Sequence, residues 1–577
     1  MKDQTRELAE QELLKYGLTA ELMIDKNLPS FEIRRENGST VIAAPDSVEL
    51  LYGVYDLAER CGGYCFFEPG RDRFDSKRIP ALPENGIIAP AVKPLLKRRG
   101  FIQEFPFDSE TADLFDWMAK NKLNYLLTWM KYYDDLSPEL KNAALIRGIT
   151  IESGHHNFNY WIPGRKYSKT HPEFFAEING KRIQSSDGKS ELLLSEQLCT
   201  TNPQLRAEIV DNMLKYCEQH PEIKVISLIP NDGFGWCECS ECSKFYDKSK
   251  KGELYSLSEH VYKADRIYHD LLRDVGARLR AVRPDLTLTF CAYINYCSPS
   301  PGFRLEKGMA VHMAPYWRCI NHTLDDPDCV INPHYADDIR RWTAVKHGGE
   351  VNIYEYYMGV NFYLMLPMIH FREMFHEMKW YADNGVDGIL TQFHVPHWSV
   401  YGMNYVLMGR AARGEDQETS IDRMFSALFG ADADEAKKFY RQVKTLVMSA
   451  GHCHIPYPRS LLRRTSLKDY EEIHSAAVSL AKKNPDPFRR DLVLWTEYMI
   501  RFKKLFDDYQ LKKLTEADVH EFLNLIHSHR DSRVFVHDRV DSYFQALLDA
   551  LRNGTEWIHF NLDWEDDYIR RHDRILG

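Results

Sequence analysis

The pattern of apolar and polar positions divides the chain into three regions, the first of which spans residues 1–93. Apolar and polar residues alternate over 31–35 and 40–44, on either side of an Asn37-Gly38 pair that is typical of a β-hairpin turn. Apolar residues then recur at helical spacing over 48–58, and four prolines between 80 and 94 indicate a linker. The pattern predicts a small α/β domain that ends near residue 93.

One pattern repeats from residue 94 to residue 415: a short apolar run, a polar loop and an amphipathic helix. The apolar runs cover 99–105, 124–129, 150–153, 225–232, 287–295, 309–317, 351–356 and 388–394. Eight strands alternating with helices predict an α/β fold of the (β/α)8 TIM barrel type. An open doubly wound sheet would share this alternation, but the count of eight and the lack of a Gly-x-Gly-x-x-Gly turn after the first strand favour the barrel.

The third region, residues 416–577, predicts a helical domain. Apolar stripes at helical spacing run over 424–447 and 492–506, and a polar segment with prolines at 485 and 487 lies between them. This pattern predicts a carboxy-terminal helical bundle packed beside the barrel, with no recognisable chemistry of its own.

Composition and charge exclude several classes of protein. The chain of 577 residues is 44% hydrophobic and 27% charged, which is typical of globular proteins. A net charge of −10 argues against a dedicated nucleic-acid-binding protein, and no apolar stretch approaches the ~18–20 residues that span a membrane. The amino terminus has no signal-peptide core, so we expect a cytoplasmic protein. The oligomeric state stays open.

The predicted strand ends carry polar and aromatic side chains, and the active site of a barrel lies at these ends. The residues are Gln103, Glu104, Trp129, Glu152, His155, His156, Asn231, Asp232, Trp236, Tyr293, His312, Trp317, Glu355, Tyr356, Gln392 and His394. Aromatic rings pack on the C–H faces of sugars, while carboxylates and amides bind their hydroxyl groups. The mixture therefore predicts an oligosaccharide substrate and no cofactor.

Glycosidic cleavage requires two carboxyl groups that flank the scissile bond. Asp232 after the fourth strand is predicted to be the general acid/base, and Glu355 at the seventh strand its partner. Asn231 is predicted to bind a substituent of the adjoining sugar ring, and Glu152 is an alternative member of the pair. The other strand-end residues, apart from Gln103 and Glu104, are predicted to bind substrate, although each also has a purely structural interpretation as a helix cap, ion-pair partner or core residue.

Cys237, Cys239 and Cys242 form a Cys-x-Cys-x-x-Cys cluster soon after Asp232. With a fourth donor from elsewhere, three thiols at this spacing would hold a structural zinc ion. No second cysteine pair stands nearby in the sequence, which favours reduced, buried thiols that shape the loop. The sequence therefore assigns no metal site, and whether these cysteines hold a structural metal stays open.

Several stretches resemble known families. The run ISLIPNDGFGWCECSEC at 226–242 resembles the family called domain of unknown function 4838, whose characterised members form glycoside hydrolase family 163. Residues 154–158, 171–175 and 198–203 are similar to the third-strand region of that family. Residues 51–57 and 62–66 resemble the small domain that precedes the barrel in family 20 hexosaminidases and family 67 α-glucuronidases.

The resemblance implies a retaining endo-β-N-acetylglucosaminidase that acts on the chitobiose core of N-glycans. In related hexosaminidases the 2-acetamido group of the substrate is the nucleophile, and Asp232 and Glu355 would be the acidic pair of this chain. Family 20 enzymes carry Asp-Glu at the fourth strand, whereas this chain has Asn231-Asp232. Their mechanism therefore does not transfer residue for residue.

Three alternatives stay open. A hydrolase of a small imported glycoside, such as one that contains a uronic acid, would suit a cytoplasmic location. A metal-dependent, amidohydrolase-like enzyme would use the histidines at 155, 156 and 312 together with Asp232, but such barrels usually carry a His-x-His pair on the first strand. A non-catalytic carbohydrate-binding barrel would keep the aromatic walls and lack a carboxyl pair.

Overall fold

The structure is a computed structural model that describes residues 3–182, 197–233, 235–246, 263–329, 331–357, 363–393, 397–451, 459–557 and 559–562. The first region of the chain contains a small sheet. Its elements are α1 (Gln4–Lys15), β1 (Glu21–Ile24), β2 (Glu32–Glu36), β3 (Ser39–Ala44), α2 (Ser47–Cys61), β4 (Tyr64–Glu68), β5 (Arg71–Phe74) and β6 (Gly86–Ala89). The sheet order is β1-β3-β2-β6, and β4 pairs with β5. Asn37 and Gly38 have φ values of 49° and 76° between β2 and β3, which confirms the predicted hairpin.

Eight parallel strands then close into a barrel, as predicted. The strands of this region are β7 (Arg98–Gln103), β8 (Tyr125–Trp129), β9 (Thr150–Gly154), β10 (Glu177–Ile178), β11 (Lys181–Arg182), β12 (Val225–Ser227), β13 (Thr287–Ala292), β14 (Leu305–Glu306), β15 (Met309–Met313), β16 (Lys346–His347), β17 (Glu350–Glu355) and β18 (Gly388–Phe393). The barrel order is β7-β8-β9-β12-β13-β15-β17-β18, and β18 pairs with β7 over six residues to close the ring. The short β10–β11 and β14–β16 pairs lie outside the ring.

Helices in the barrel region alternate with the strands. They are α3 (Thr111–Lys120), α4 (Met130–Asp135), α5 (Pro138–Leu145), α6 (Phe158–Trp161), α7 (Gly164–Tyr167), α8 (Pro203–Gln219), α9 (Asp265–Val282), α10 (Asn332–Ala344), α11 (Phe371–Asp383) and α12 (Trp398–Arg413). Close strand packing explains Gly100 in β7, because a Cβ atom there would lie 1.6 Å from the carbonyl oxygen of Tyr125 in β8.

The fourth barrel strand is shorter than the sequence pattern predicts. The predicted run of 225–232 forms a strand only over Val225–Ser227. The side chain of Asn157 also binds the backbone at this point: its amide donates to the Ser227 carbonyl (2.7 Å) and accepts from the Ile229 N–H (2.8 Å). The backbone of the next two residues still bonds to its neighbours, since the Leu228 N–H donates to the Thr289 carbonyl (3.0 Å) and the Ile229 carbonyl accepts from the Asn157 N–H (2.9 Å). Asp232 follows at the mouth of the barrel.

Helices follow the barrel and share one hydrophobic core with it. They are α13 (Gln417–Phe429), α14 (Ala433–Ser449), α15 (Arg459–Arg464), α16 (Leu467–Lys483), α17 (Pro487–Gln510), α18 (Glu516–His527) and α19 (His537–Asn553). Trp495 and Tyr498 of α17 donate hydrogen bonds to the carbonyls of Met365 (2.8 Å) and Leu364 (2.6 Å). The predicted helical region is confirmed, whereas the domain boundaries at 93 and 415 stay predictions. Within the described ranges, no helix combines the length and the apolar character that a membrane crossing requires.

Candidate active site

A cavity of about 280 Å³ opens at the carboxyl ends of the barrel strands. Its walls combine carboxylates, imidazoles, one guanidinium group and many phenol rings. The lining residues are Glu104, Trp129, Tyr132, His155, His156, Ile229, Asp232, Cys291, Tyr293, Ala314, Tyr316, Tyr354, Tyr356, Gln392, Arg539 and Tyr543. A polar cavity of this size at this end of the barrel is the candidate active site.

Glu104, directly after β7, is held at the cavity wall by three neighbouring side chains. Its Oε1 atom accepts hydrogen bonds from the hydroxyl of Tyr354 and the amide of Gln392, each at 2.7 Å. Nε2 of His155 lies 3.2 Å from the same oxygen. The donors come from β17, β18 and the loop after β9, so barrel closure fixes the position of this carboxylate.

His155 is oriented by a stacked ring and by polar contacts at its Nε2 atom. The ring stacks on Trp129 with centroids 4.3 Å apart, and Nε2 lies 3.1 Å from the hydroxyl of Tyr354. The backbone of His155 is left-handed, with φ of 68°. A non-glycine residue in this conformation requires its surroundings to hold it there. The contacts with Trp129, Tyr354 and Glu104 supply that constraint.

Asp232 projects into the cavity from the loop that follows β12 and is exposed. The neighbouring His156 is half-buried in the cavity wall, and its Nδ1 lies 2.5 Å from the carbonyl oxygen of Pro230. Burial lowers the pKa of His156 below its ordinary value, although the carboxylate of Asp232 acts in the opposite direction. The cavity therefore pairs an accessible carboxyl group with a neutral imidazole near pH 7.

Four tyrosines form a continuous aromatic wall. Tyr293, Tyr316, Tyr356 and Tyr354 follow one another with ring centroids 5.5, 5.5 and 5.2 Å apart. Burial raises the pKa of Tyr293 and Tyr356 far above the ordinary value for a phenol, so both hydroxyls remain protonated. The wall offers apolar faces and hydroxyl groups together.

A groove of about 950 Å³ adjoins the cavity and shares Trp129 and His156 with it. Most of its other lining side chains are aromatic, amide or basic. They include Tyr160, Trp161, Tyr216, Asn159, Asn212, Gln219, Lys131, Arg165, Lys166 and Lys215. An extended ligand in the cavity would continue into this groove past Trp129.

The structure brings half of the predicted site residues together at the cavity. These are Trp129, His155, His156, Asp232, Tyr293, Tyr356 and Gln392. The prediction omitted Glu104 from the catalytic pair, although it follows a strand end as the barrel rule requires. It also missed Arg539 and Tyr543 of α19, for which the sequence holds no signal, because they reach the cavity from the carboxy-terminal helices.

Glu355 lies outside the cavity lining, which argues against its predicted pairing with Asp232. Its side chain is buried and forms an ion pair with Arg318, which also binds Glu377 at 2.5 Å. Burial raises the pKa of Glu355, and Glu377 adds to that effect while Arg318 opposes it. Glu355 belongs to a closed ionic cluster beside the barrel mouth.

Glu152 and His312 face the barrel interior and do not line the cavity, which corrects their predicted contact with substrate. Both are fully buried, and Nε2 of His312 lies 2.8 Å from Oε2 of Glu152. Tyr125 donates to the same oxygen at 2.6 Å, and Thr289 donates to the other. Burial alone would raise the pKa of Glu152, yet His312 and the hydroxyl donors lower it below its usual value. His312 is thereby separated from the histidines of the cavity, which argues against the amidohydrolase-like alternative.

Asn231, Trp236 and Trp317 also lie outside the cavity lining, contrary to the prediction. The amide of Asn231 donates to Oδ1 of Asn159 at 2.9 Å and accepts from the Asn159 backbone N–H at 3.1 Å. Trp236 packs against Tyr296 with centroids 5.7 Å apart, and Trp317 is buried. These residues support the loops around the site. His394, also predicted to bind substrate, lies outside the described residues.

Replacing Glu152 with glutamine is expected to lower the free energy of unfolding by about 2 kcal/mol near neutral pH, because hydrogen bonds to a buried charged group are lost. The carboxylate has a lowered pKa in the folded state, so it contributes fully above its usual value of 4.5 and less as the pH falls through the folded-state value. Urea denaturation of both proteins from about pH 7 to about pH 3 measures the difference. It should shrink at low pH; a pH-independent difference would contradict the ionised network.

The ionic cluster predicts opposite results for two substitutions. Glu355→Gln should leave turnover unchanged and cost less stability than loss of the arginine, because the amide oxygen still accepts a hydrogen bond from Arg318, and Arg318 keeps its bond to Glu377. Arg318→Met should lower the free energy of unfolding by about 3–5 kcal/mol, because two buried carboxylates lose their cation. Thermal and urea denaturation measure both variants. Loss of turnover in a stably folded Glu355→Gln protein would restore this residue to the catalytic pair.

Comparisons with known structures find barrel glycosidases at low similarity. A β-N-acetylhexosaminidase from Bacteroides fragilis NCTC 9343 shares 12% identity at a TM-score of 0.43, over 73% of this chain and 84% of that one. A family 20 exo-β-N-acetylglucosaminidase from Vibrio harveyi in complex with N-acetylglucosamine shares 12% identity at 0.43, over 75% and 72%. A family 115 4-O-methyl-α-glucuronidase with specificity for decorated arabinogalactans shares 12% identity at 0.46, over 92% and 69%.

A family match covers the barrel region. No curated protein matches the chain. The model of the family described as Domain of unknown function (DUF4838) matches residues 92–442, which is more than half of the chain. The match includes Glu104, Asp232 and most of the other residues that line the cavity. The chain therefore belongs to the DUF4838 family, as the resemblance of residues 226–242 predicted.

Proposed function

We propose that this protein is a glycoside hydrolase that cleaves an oligosaccharide with Asp232 and Glu104 as its catalytic carboxyl groups. The observation that carries the proposal is that both carboxyl groups line one aromatic-walled cavity. Glu104 follows β7, and Asp232 follows β12, three positions away in the ring of eight strands. The two groups thus approach the cavity from different sides, as cleavage of a glycosidic bond requires.

The environments of the two carboxyl groups suggest different roles. Asp232 is exposed to the cavity, so it is suited to donate a proton to the glycosidic oxygen as the C–O bond breaks and to take a proton from the incoming water. Glu104 is held by Tyr354 and Gln392 at 2.7 Å each, so it is suited to stabilise positive charge at the sugar without moving. The leaving group departs as an alcohol, and water supplies the new hydroxyl group.

The groove next to the cavity favours an oligosaccharide over a single sugar as the substrate. A cavity of about 280 Å³ has room for little more than one sugar ring, and the groove of about 950 Å³ begins at its edge. Trp129 and His156 border both spaces, where the scissile bond would lie if the chain of sugars continued outward. This arrangement suits cleavage within an oligosaccharide.

The finer proposal is that the sugar in the cavity is a β-linked N-acetylglucosamine and that the reaction retains configuration. It rests on the resemblance of residues 226–242 to glycoside hydrolase family 163. In that case the acetamido group of the substrate would attack the anomeric carbon, and Glu104 would orient its N–H. The product formed first would then be the β-anomer, which NMR spectroscopy of the fresh reaction mixture detects.

Arg539 favours a second candidate, the hydrolysis of a uronic-acid-containing glycoside. The guanidinium group of Arg539 lies 4.2 Å from the centre of the Phe105 ring and lines the cavity. A guanidinium group at this position would pair with a sugar carboxylate. The two candidates differ in whether the sugar in the cavity carries a negative charge.

Asp232→Asn and Glu104→Gln are each expected to lower kcat/KM by about 10²–10⁴-fold, the usual effect of removing an acid or base. A screen of aryl glycosides and N-glycan oligosaccharides first identifies the substrate. Asp232→Asn should lose less activity on aryl glycosides with acidic leaving groups, because these depart without a proton. Glu104→Gln should lose activity on all of them.

Asp108→Asn is the matched control for these variants. Asp108 lies on the same loop as Glu104, but it is exposed and accepts a hydrogen bond from the Glu110 N–H at 2.8 Å outside the cavity. It should retain full activity. Full activity in both Asp232→Asn and Glu104→Gln would contradict the proposed carboxyl pair.

Arg539→Gln distinguishes the two candidate substrates. For an N-acetylglucosaminide, KM should change by less than about threefold, because the sugar carries no charge for the guanidinium group to bind. For an aryl glucuronide, the loss of a charge-assisted hydrogen bond of about 1.5–3 kcal/mol should raise KM by at least tenfold. Arg552→Gln on the exposed side of α19 is the control. Activity on glucuronides alone, with that rise in KM, would replace the first candidate by the second.

A further inference from the structure

Four buried cysteines converge behind the loop that carries Asp232. They are Cys199, Cys237, Cys239 and Cys242. Their Sγ atoms all lie within 4.8 Å of one another. The sequence pattern supplied three of these thiols, and the fold supplies Cys199 as the fourth. We propose that the four thiolates bind one structural Zn²⁺ ion.

The sulfur positions match tetrahedral coordination. A Zn–S bond of about 2.3 Å in a tetrahedron places sulfur atoms about 3.8 Å apart. Sγ of Cys199 lies 3.7 Å from Sγ of Cys239 and 3.8 Å from Sγ of Cys242. A disulfide would require about 2.05 Å. The thiols therefore have the spacing of metal ligands and not of a disulfide.

The surroundings of the group suit a site with net negative charge. Four thiolates around Zn²⁺ carry a net charge of −2. Nη1 of Arg182 lies 3.7 Å from Sγ of Cys237, and the backbone N–H of Glu177 donates to the same sulfur at 3.3 Å. A cation and an N–H donor next to thiolate ligands stabilise such a site. Both come from the β10–β11 pair, whose strands pack over the cysteine loop.

The zinc ion would link the two chain segments that position Asp232, one that contains Cys199 and one that contains the other three cysteines. Gln197, two residues before Cys199, accepts from the Asn231 N–H at 3.1 Å and donates to the carbonyls of Asn231 (2.6 Å) and Gly233 (3.1 Å). The other three ligands, Cys237, Cys239 and Cys242, lie at the far end of the loop that begins at Asp232. Binding of one metal ion would thus tie both sides of this loop together, which makes the cysteines positioning residues for Asp232.

A second group of potential ligands requires the test to be specific for each site. Cys319, His322 and Cys329 also bring their donor atoms within 4.8 Å of one another. This group offers three donors among the residues that the structure describes, whereas a structural zinc site uses four. Metal bound there must be counted separately.

Mass spectrometry of metal content tests the proposal on the purified full-length protein. We expect at least one zinc ion per chain, and one fewer in Cys199→Ser and in Cys237→Ser. Cys217→Ser, at a buried thiol in α8 outside the group, should keep the full content, and Cys319→Ser should keep the zinc of the four-cysteine site. Unchanged zinc content in Cys199→Ser, or none in the wild-type protein, would overturn the proposal.

Cobalt substitution keeps the test decisive if the variants fail to fold. Wild-type and Cys319→Ser proteins loaded with Co²⁺ should both show the intense thiolate-to-cobalt and tetrahedral d–d absorption bands of a four-sulfur site. Metal removal should lower Tm by about 5 °C or more, because the metal binds only the folded state. A spectrum without thiolate bands, iron in place of zinc, or a disulfide between Cys199 and Cys239 would contradict the assignment. None of these readouts depends on the hydrolytic activity.

Discussion

Closure of the barrel is the constraint on which the candidate site depends. The ring closes where β18 pairs with β17 on one side and β7 on the other. This seam places Tyr354 and Gln392 beside Glu104, although they are 250 and 288 residues away in the chain. An open sheet would leave β7 and β18 at opposite edges, and the carboxylate of Glu104 would lose two of its donors.

The carboxyl groups at the strand ends are either enclosed by the protein or exposed to the cavity, depending on the side chains around them. Glu152 and Glu355 are fully enclosed, the first by His312, Tyr125 and Thr289 and the second by Arg318. A buried carboxylate requires such partners, since an unpaired one would be too costly to bury. Asp232 and Glu104 instead line the cavity, the first exposed and the second half-buried. The same residue type therefore serves stability in one position and chemistry in another.

The pattern of the sequence predicted the barrel, the helical region and much of the cavity wall, because strand periodicity and strand ends are local properties. It did not predict which acid partners Asp232. That choice depends on Arg318, a loop residue that neutralises Glu355, and on donors from two distant strands around Glu104. It also missed Arg539, which reaches the cavity from α19. Such contacts arise only when the whole chain has folded.

The most direct test of the account is a crystal structure of the Asp232→Asn variant with an uncleaved oligosaccharide bound. The account predicts one sugar ring in the cavity against the tyrosine wall, its glycosidic oxygen within hydrogen-bond distance of residue 232 and Glu104 on the other side of the ring. The remaining sugars should pass Trp129 into the groove. An oligosaccharide bound elsewhere, or oriented with its glycosidic oxygen away from both residues, would contradict the account.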